Sequence, residues 1–180
     1  LLPATQKALA KADQAACANN LRQLGVAEAT YASDNNSFIC PDNPGVVALS
    51  WAGLLYSYVK EPEVFRCPSD QYENNKTIDG DSIVISYLAN RGVHKSGIPT
   101  AGNPIKKYAC ERPSQTASFG PLGEDKNGNY YLGIQSVNGV WDVSDTSTTW
   151  NKYMDLDRHG ANQPSNYLFI DGHVQGVTHG

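Results

Sequence analysis

The side chains best suited by type to do chemistry are three histidines and two groups of oxygen-bearing residues. His159, Asp171 and His173 lie close together near the C-terminal end. Two imidazoles and a carboxylate make a common zinc donor set. Their setting argues for structure instead. Asp171-Gly172 stands between the apolar runs Tyr167-Leu168-Phe169-Ile170 and His173-Val174-Gln175-Gly176-Val177. Such a dipeptide predicts a tight hairpin with both central residues at positive φ. The turn accounts for Asp171 without a metal, and His159 is expected to hydrogen-bond near the hairpin. His94 falls in a loop segment, and a hydrolase joining it to His159 and His173 has no supporting arrangement.

The second group is Asp125-Lys126-Asn127-Gly128-Asn129, with oxygen ligands at alternate positions. Calcium loops use this spacing to converge several oxygens on one ion. Asp125, Asn127 and Asn129, with the carboxylates Asp155 and Asp157, are therefore candidate calcium ligands, and calcium is the one candidate cofactor. The full loop pattern is missing: Tyr130 stands where glycine is needed and Ser136 where the bidentate glutamate belongs. A solvated turn fits these residues better.

Catalytic motifs are scarce. No G-x-S-x-G elbow occurs, and no glycine-rich phosphate loop follows a strand. Glu61, Glu63, Glu111 and Glu124 lie beside prolines or in loops, where exposure is the default. The chain is expected not to be an enzyme. The aromatics Tyr130, Tyr131, Trp141 and Trp150 could stack on sugar rings, which would suit a surface-displayed carbohydrate-binding module. Filling a small core under long loops is their more ordinary use.

Cys17, Cys40, Cys67 and Cys110 are widely spaced, with no C-x-x-C. An even count in a loop-rich chain points to two disulfides and an oxidising compartment. Three pairings are open on spacing alone.

These residues must be positioned by a chain of 180 residues with a net charge of −4. That length suits one domain. The charge gives no basic footprint for nucleic acid and no polybasic membrane patch. Residues 1–36 read as one long helix. Cys17, Leu21, Leu24, Ala27 and Tyr31 form a single apolar stripe. Glu28 interrupts the stripe and must reach solvent or find a partner. Gly25 costs about 1 kcal/mol against alanine within a helix, and it permits close approach of a neighbouring element. The run Ser33-Asp34-Asn35-Asn36-Ser37 ends the helix. Ala4 to Gln14 is too polar to be buried along its length, so this part is expected to project as a neck.

Residues 37–180 read as the head of the same domain. A short helix over Ser50–Tyr58 is capped by Ser50. Strands are expected at Ile83–Leu88, Gln115–Phe119 and Tyr130–Ile134, followed by the C-terminal hairpin. One long helix, one short helix and scattered strands make an α+β pattern.

Several blocks, in order, resemble the prepilin-type proteins with a C-terminal His-x9-Asp-Gly signature, relatives of type II secretion pseudopilins. They are Ala16-Cys17-Ala18-Asn19-Asn20-Leu21-Arg22-Gln23-Leu24-Gly25, Tyr31-Ala32-Ser33-Asp34-Asn35-Asn36, and Trp51 to Tyr58 with Phe65-Arg66-Cys67-Pro68-Ser69-Asp70. Further along come Ser86-Tyr87-Leu88-Ala89-Asn90, Arg112-Pro113-Ser114, Arg158-His159-Gly160 and Asn166 to Val174. The signature residues are His159, Asp171 and Gly172, here spaced His-x11-Asp-Gly. The resemblance implies a type IV pilin-like fold, a long N-terminal helix on a small antiparallel sheet with long loops. It implies a non-enzymatic filament subunit that meets other pilin subunits through that helix. It further implies a precursor processed by a prepilin peptidase, an inner-membrane anchor preceding Leu1, and a periplasmic or cell-surface head. The family's Cys17 and Cys67 blocks occur together, which implies Cys17–Cys67 and with it Cys40–Cys110. Related major pseudopilins hold calcium in a C-terminal loop.

Overall fold

A computed structural model describes residues 2–41, 48, 50–72, 75–90, 93–94, 106–123, 133–134, 154–161 and 163–178. The first helix, α1, spans Leu2–Asp34. Residues 4–9 are exposed all round. From Cys17 onward one face is buried, through Leu21, Leu24, Ala27, Glu28, Tyr31 and Ala32. The stripe in the sequence is thus the packed face, and the polar start is the exposed neck. Past Asp34 the chain breaks from the helix at Asn36 and Ser37, both left-handed at φ 55° and 66°. The Asn35 amide donates back to the Tyr31 carbonyl at 2.8 Å.

The short helix α2 covers Trp51–Val59, and the Ser50 hydroxyl accepts from the Gly53 N–H at 3.3 Å. A 3₁₀ turn follows at Pro62–Phe65. The Asn20 side-chain amide of α1 donates to the Glu63 and Arg66 carbonyls at 3.1 and 2.8 Å, which fixes the approach to Cys67.

Two sheets follow. Strands β1 (Asn75–Ile78) and β2 (Asp81–Val84) form a separate antiparallel hairpin. The main sheet holds β3 (Tyr87–Asn90), β4 (Ala117–Pro121), β5 (Gly133–Ile134), β6 (Ser165–Phe169) and β7 (Val174–Val177) in the order β5-β3-β4-β6-β7. Its pairings are antiparallel except β3 with β5. The expected strand Ile83–Leu88 is therefore two strands. Ile85 and Ser86 leave the small hairpin, and the Ser86 N–H donates to the Phe65 carbonyl before β3 joins the main sheet.

One face of the main sheet packs on the helices. Tyr87, Ala89, Phe119 and Leu168 share a core with Leu21, Leu24, Trp51, Leu55 and Phe65. On the other face Leu88, Ala117, Leu122, Tyr167 and Phe169 pack with Met154 and Val177. Ala117 and Phe119 face opposite ways because a register shift lies between them. Both faces are covered, so β4 and β6 are buried at every position. Gly25 is where α1 comes closest: a Cβ there would meet Leu168 Cδ1 at 2.9 Å.

The neck joins the head through a clasp. The Gln14 side-chain amide donates to the Pro164 carbonyl, and the Asn166 side-chain amide donates to the Gln14 carbonyl, both at 2.8 Å.

The C-terminal hairpin corrects the turn expected at Asp171-Gly172. Gly172 is left-handed at φ 95°, while Asp171 is not among the positive-φ residues. The Gly172 N–H donates to the Phe169 carbonyl, and the Phe169 N–H donates to the His173 carbonyl. This is a three-residue loop with a glycine bulge, not a two-residue turn. The two-residue form occurs at Asp79-Gly80, with φ 53° and 93°, between the paired residues Ile78 and Asp81.

Candidate functional site

Two buried polar clusters sit on the packed face of α1. The first is built on Glu28, the residue that interrupts the apolar stripe. His94 reaches it from a turn in which the Val93 and His94 N–H groups both donate to the Asn90 carbonyl. Ser118 reaches it from β4. Ser118 Oγ lies 2.8 Å from Glu28 Oε1 and 2.8 Å from His94 Nε2. His94 Nε2 is 3.3 Å from Glu28 Oε1, and His94 Nδ1 is 2.7 Å from the Cys40 carbonyl. His94 Nδ1–H therefore donates to Cys40, and the contacts at Nε2 need one proton beyond the serine's own. Burial supplies the reason it stays. It pushes the Glu28 carboxyl up to about 7, against the opposing pull of Ser118 and Lys107. It pushes His94 down to about 4. Between about pH 4 and 7 a neutral acid, a hydroxyl and a neutral imidazole then satisfy one another without burying a net charge.

The types in this cluster, Ser, His and Glu, are those of a hydrolytic triad, but the order is wrong. The serine bridges acid and imidazole, and the remaining ring nitrogen is spent on a carbonyl. Ser118 and His94 are fully enclosed and Glu28 is 2% exposed, so no substrate reaches them. The arrangement ties α1, β4 and the residue-94 turn together.

The second cluster lies nearer the neck. The sulfurs of Cys17 and Cys67 and one ring nitrogen of His159 lie within 4.8 Å of one another, and all three residues are buried. Cys17 comes from α1 and Cys67 from the segment after the 3₁₀ turn. His159 comes from the 154–161 turn. That turn is pinned by a bridge between Leu122 and Met154 and by Ser165 Oγ, which donates to the Asp155 and Leu156 carbonyls at 3.1 and 2.9 Å. Arg158 anchors it further. Its guanidinium pairs with Asp70 at 2.9 Å and Asp155 at 2.8 Å, and donates to the Leu122 carbonyl. His159 Nδ1 lies 3.1 Å from Ser69 Oγ, which in turn is 3.5 Å from Asp13 Oδ2. His159 Nε2 is buried without a hydrogen-bond partner. The Cys67 thiol pulls the Cys17 thiol down by hydrogen bonding, against burial. Cys67 is held up in turn by Cys17 and by burial.

The cysteine expectation is corrected here: all four are free thiols. Cys17 and Cys67 are neighbours as the Cys17–Cys67 pairing requires, but they are hydrogen-bonded rather than covalently joined. Cys40 and Cys110 are likewise unbonded to each other. Cys40 Sγ lies 3.4 Å from His94 Nδ1, and Cys110 packs against the cluster of Ile39, Val93 and Ile170.

The histidines do not form one site. His94 and His159 belong to separate clusters. His173 stays at the hairpin, where its Nδ1 is 2.6 Å from Asp171 Oδ1 in a half-exposed pair. His159 bonds Ser69 rather than a hairpin group, so the signature residues His159, Asp171 and Gly172 do not meet through hydrogen bonds. Of the candidate calcium ligands, Asp155 is engaged by Arg158 and Asp157 is exposed. Asp125, Asn127 and Asn129 lie outside the described residues, as do Tyr130, Tyr131, Trp141 and Trp150. Nothing in the sequence singled out Asp13 or Ser118, and Ser69 stood in the same family-like block as Cys67 without a role. Arg158, in the block Arg158-His159-Gly160, likewise carried no role, and its place beside His159 was the signal that it anchors that turn.

Compared with known proteins, the chain matches no family model, no curated protein and no solved structure. Among the described residues, no helix is long and apolar enough to cross a membrane.

Proposed function

We propose that this chain is the neck and outward-facing head of a type IV pilin-like filament subunit, of the kind that builds a type II secretion pseudopilus. The observation that carries the reading is the uneven burial of α1. Its second half is packed on the sheet, while residues 4–9 touch solvent all round. A helix that outruns its own domain needs another surface, and neighbouring subunits of a helical bundle would supply one. The ordered blocks resembling prepilin-type proteins support the same role. In this reading the precursor carries an apolar anchor ahead of the neck, a prepilin peptidase trims it, and the head faces the periplasm or the cell surface.

The enclosed Glu28–Ser118–His94 network supports a structural role for the head rather than catalysis there. It brings acid–base groups together where only the protein's own segments can use them.

The test is processing. Full-length protein expressed with a prepilin peptidase should lose a short leader, fractionate with the inner membrane, and form subunit-to-subunit cross-links through cysteines placed at Lys7 or Lys11. A full-length gene with no apolar stretch ahead of residue 1 would sink the proposal.

A further inference from the structure

We propose that Cys17, Cys67 and His159 form a binding site for zinc, joining the neck helix to two segments of the head. The donor set is two sulfurs and one imidazole, which suits a borderline-soft divalent ion. The donors lie within 4.8 Å of one another. Tetrahedral zinc, with Zn–S bonds of about 2.3 Å, holds its donors about 3.5–3.8 Å apart. The donors need to draw together by no more than about 1.3 Å.

The surroundings fit a ligand histidine. In metal sites the second ring nitrogen commonly donates to an oxygen that fixes the tautomer and the ring plane. Here His159 Nδ1 faces Ser69 Oγ at 3.1 Å, and Ser69 is backed by the Asp13 carboxylate at 3.5 Å. That leaves Nε2 as the lone-pair nitrogen. Nε2 has no hydrogen-bond partner, in a residue only 5% exposed. A buried polar nitrogen left without a partner has lost its water and gained nothing in return, and a bound ion removes that penalty.

Charge also balances. Two thiolates, a neutral imidazole and a divalent cation sum to zero. Binding displaces the thiol protons to solvent, and no oxidant or reductant takes part. His159 also lines a groove with Ala4, Lys7 and Lys11 of the neck and with Ala161 and Gln163, which gives an ion a route from solvent.

The experiment is titration of the whole chain, thiols reduced and oxygen excluded, with Co²⁺ and then Zn²⁺. One equivalent of Co²⁺ should give an intense thiolate-to-cobalt charge-transfer band in the near ultraviolet, bleached by one equivalent of Zn²⁺. Zn²⁺ should also raise the melting temperature. Cys17→Ser and Cys67→Ser should each abolish the band, and His159→Gln should weaken Zn²⁺ binding at least tenfold. Cys40→Ser and Cys110→Ser should leave both readouts unchanged. Ser69→Ala, which keeps all three ligands, should weaken binding about tenfold through loss of ring positioning. Wild-type protein that shows no band at micromolar Co²⁺ overturns the proposal. So does a band that survives in the Cys17→Ser, Cys67→Ser double variant. A Cys17–Cys67 disulfide in protein isolated from its export compartment overturns it as well, and would leave the filament reading intact.

Discussion

Glu28 and Cys17 lie on the same buried stripe of α1, about three turns apart, and each meets a histidine delivered from a loop. Around Glu28 the donors and acceptors match: carboxyl, serine, imidazole and carbonyl form one chain with a proton for each contact. Around Cys17 they do not. Two thiols face each other, and His159 keeps a buried nitrogen with no partner. Burial is equally deep at both places, so burial alone does not distinguish them. What differs is whether the protein supplies every partner. A closed network spends its polar groups on holding segments together, whereas an open one keeps a valence for something else.

The largest effects should come from removing the side chain that anchors each cluster. Arg158→Ala leaves Asp70 buried without its cation, and it should destabilise the chain by about 3–5 kcal/mol in urea unfolding. Glu28→Ala removes the acid and opens a cavity, and should cost a similar amount. Glu28→Gln keeps the shape and a neutral donor, so it should cost about 1 kcal/mol or less. If Glu28→Gln is as harmful as Glu28→Ala, the carboxyl is not held neutral and the closed-network account fails.

The pH dependence sharpens the same point. Glu28 is raised from 4.5 to about 7, so stability should fall with pH between those values. His94 is lowered from 6.5 to about 4, so stability should rise with pH between those values. The two slopes oppose each other where these windows overlap, and this pair should contribute little net slope there. Glu28→Gln removes one slope and exposes the other: across the His94 window, stability should climb by on the order of 2–3 kcal/mol more than in wild type. Denaturant midpoints at closely spaced pH values would show it, and a flat difference between the two proteins would refute it.

Smaller effects compare the two serines. Ser118→Ala interrupts a fully buried relay and should cost about 1–3 kcal/mol. Ser69→Ala, at a half-buried position, should cost about 0.5–1 kcal/mol in the metal-free protein. Equal costs would erase the distinction between the clusters. The smallest effect is expected at the half-exposed Asp171–His173 pair, where His173→Ala should change thermal stability by under about 1 kcal/mol.

Much of the helix was readable in the sequence. The stripe from Cys17 to Tyr31 named the packed face, Gly25 named the close contact, and Glu28 announced a partner. The partner itself was not readable, because His94 and Ser118 reach Glu28 only after the main sheet has formed. The two Asp-Gly turns show the same limit in reverse. The dipeptide flanked by long apolar runs became the wider loop, since register in β6 and β7 places Phe169 opposite His173. The dipeptide in a polar setting, at Asp79-Gly80, became the tight turn, because β1 and β2 are short and outside the main sheet. Arg158 was legible only as a neighbour of His159; its carboxylates, Asp70 and Asp155, are brought to it by the fold.

The clasp of Gln14 with Pro164 and Asn166 bears on orientation. A single contact at the root of the neck would act as a swivel. Two bonds that cross between the same pieces act as a key in a slot and resist twisting about the helix axis. The direction in which the head faces is then fixed by the rotation of α1. In any array that sets the helices at regular angles, the heads inherit those angles, and the outer surface becomes a regular lattice rather than a loose fringe.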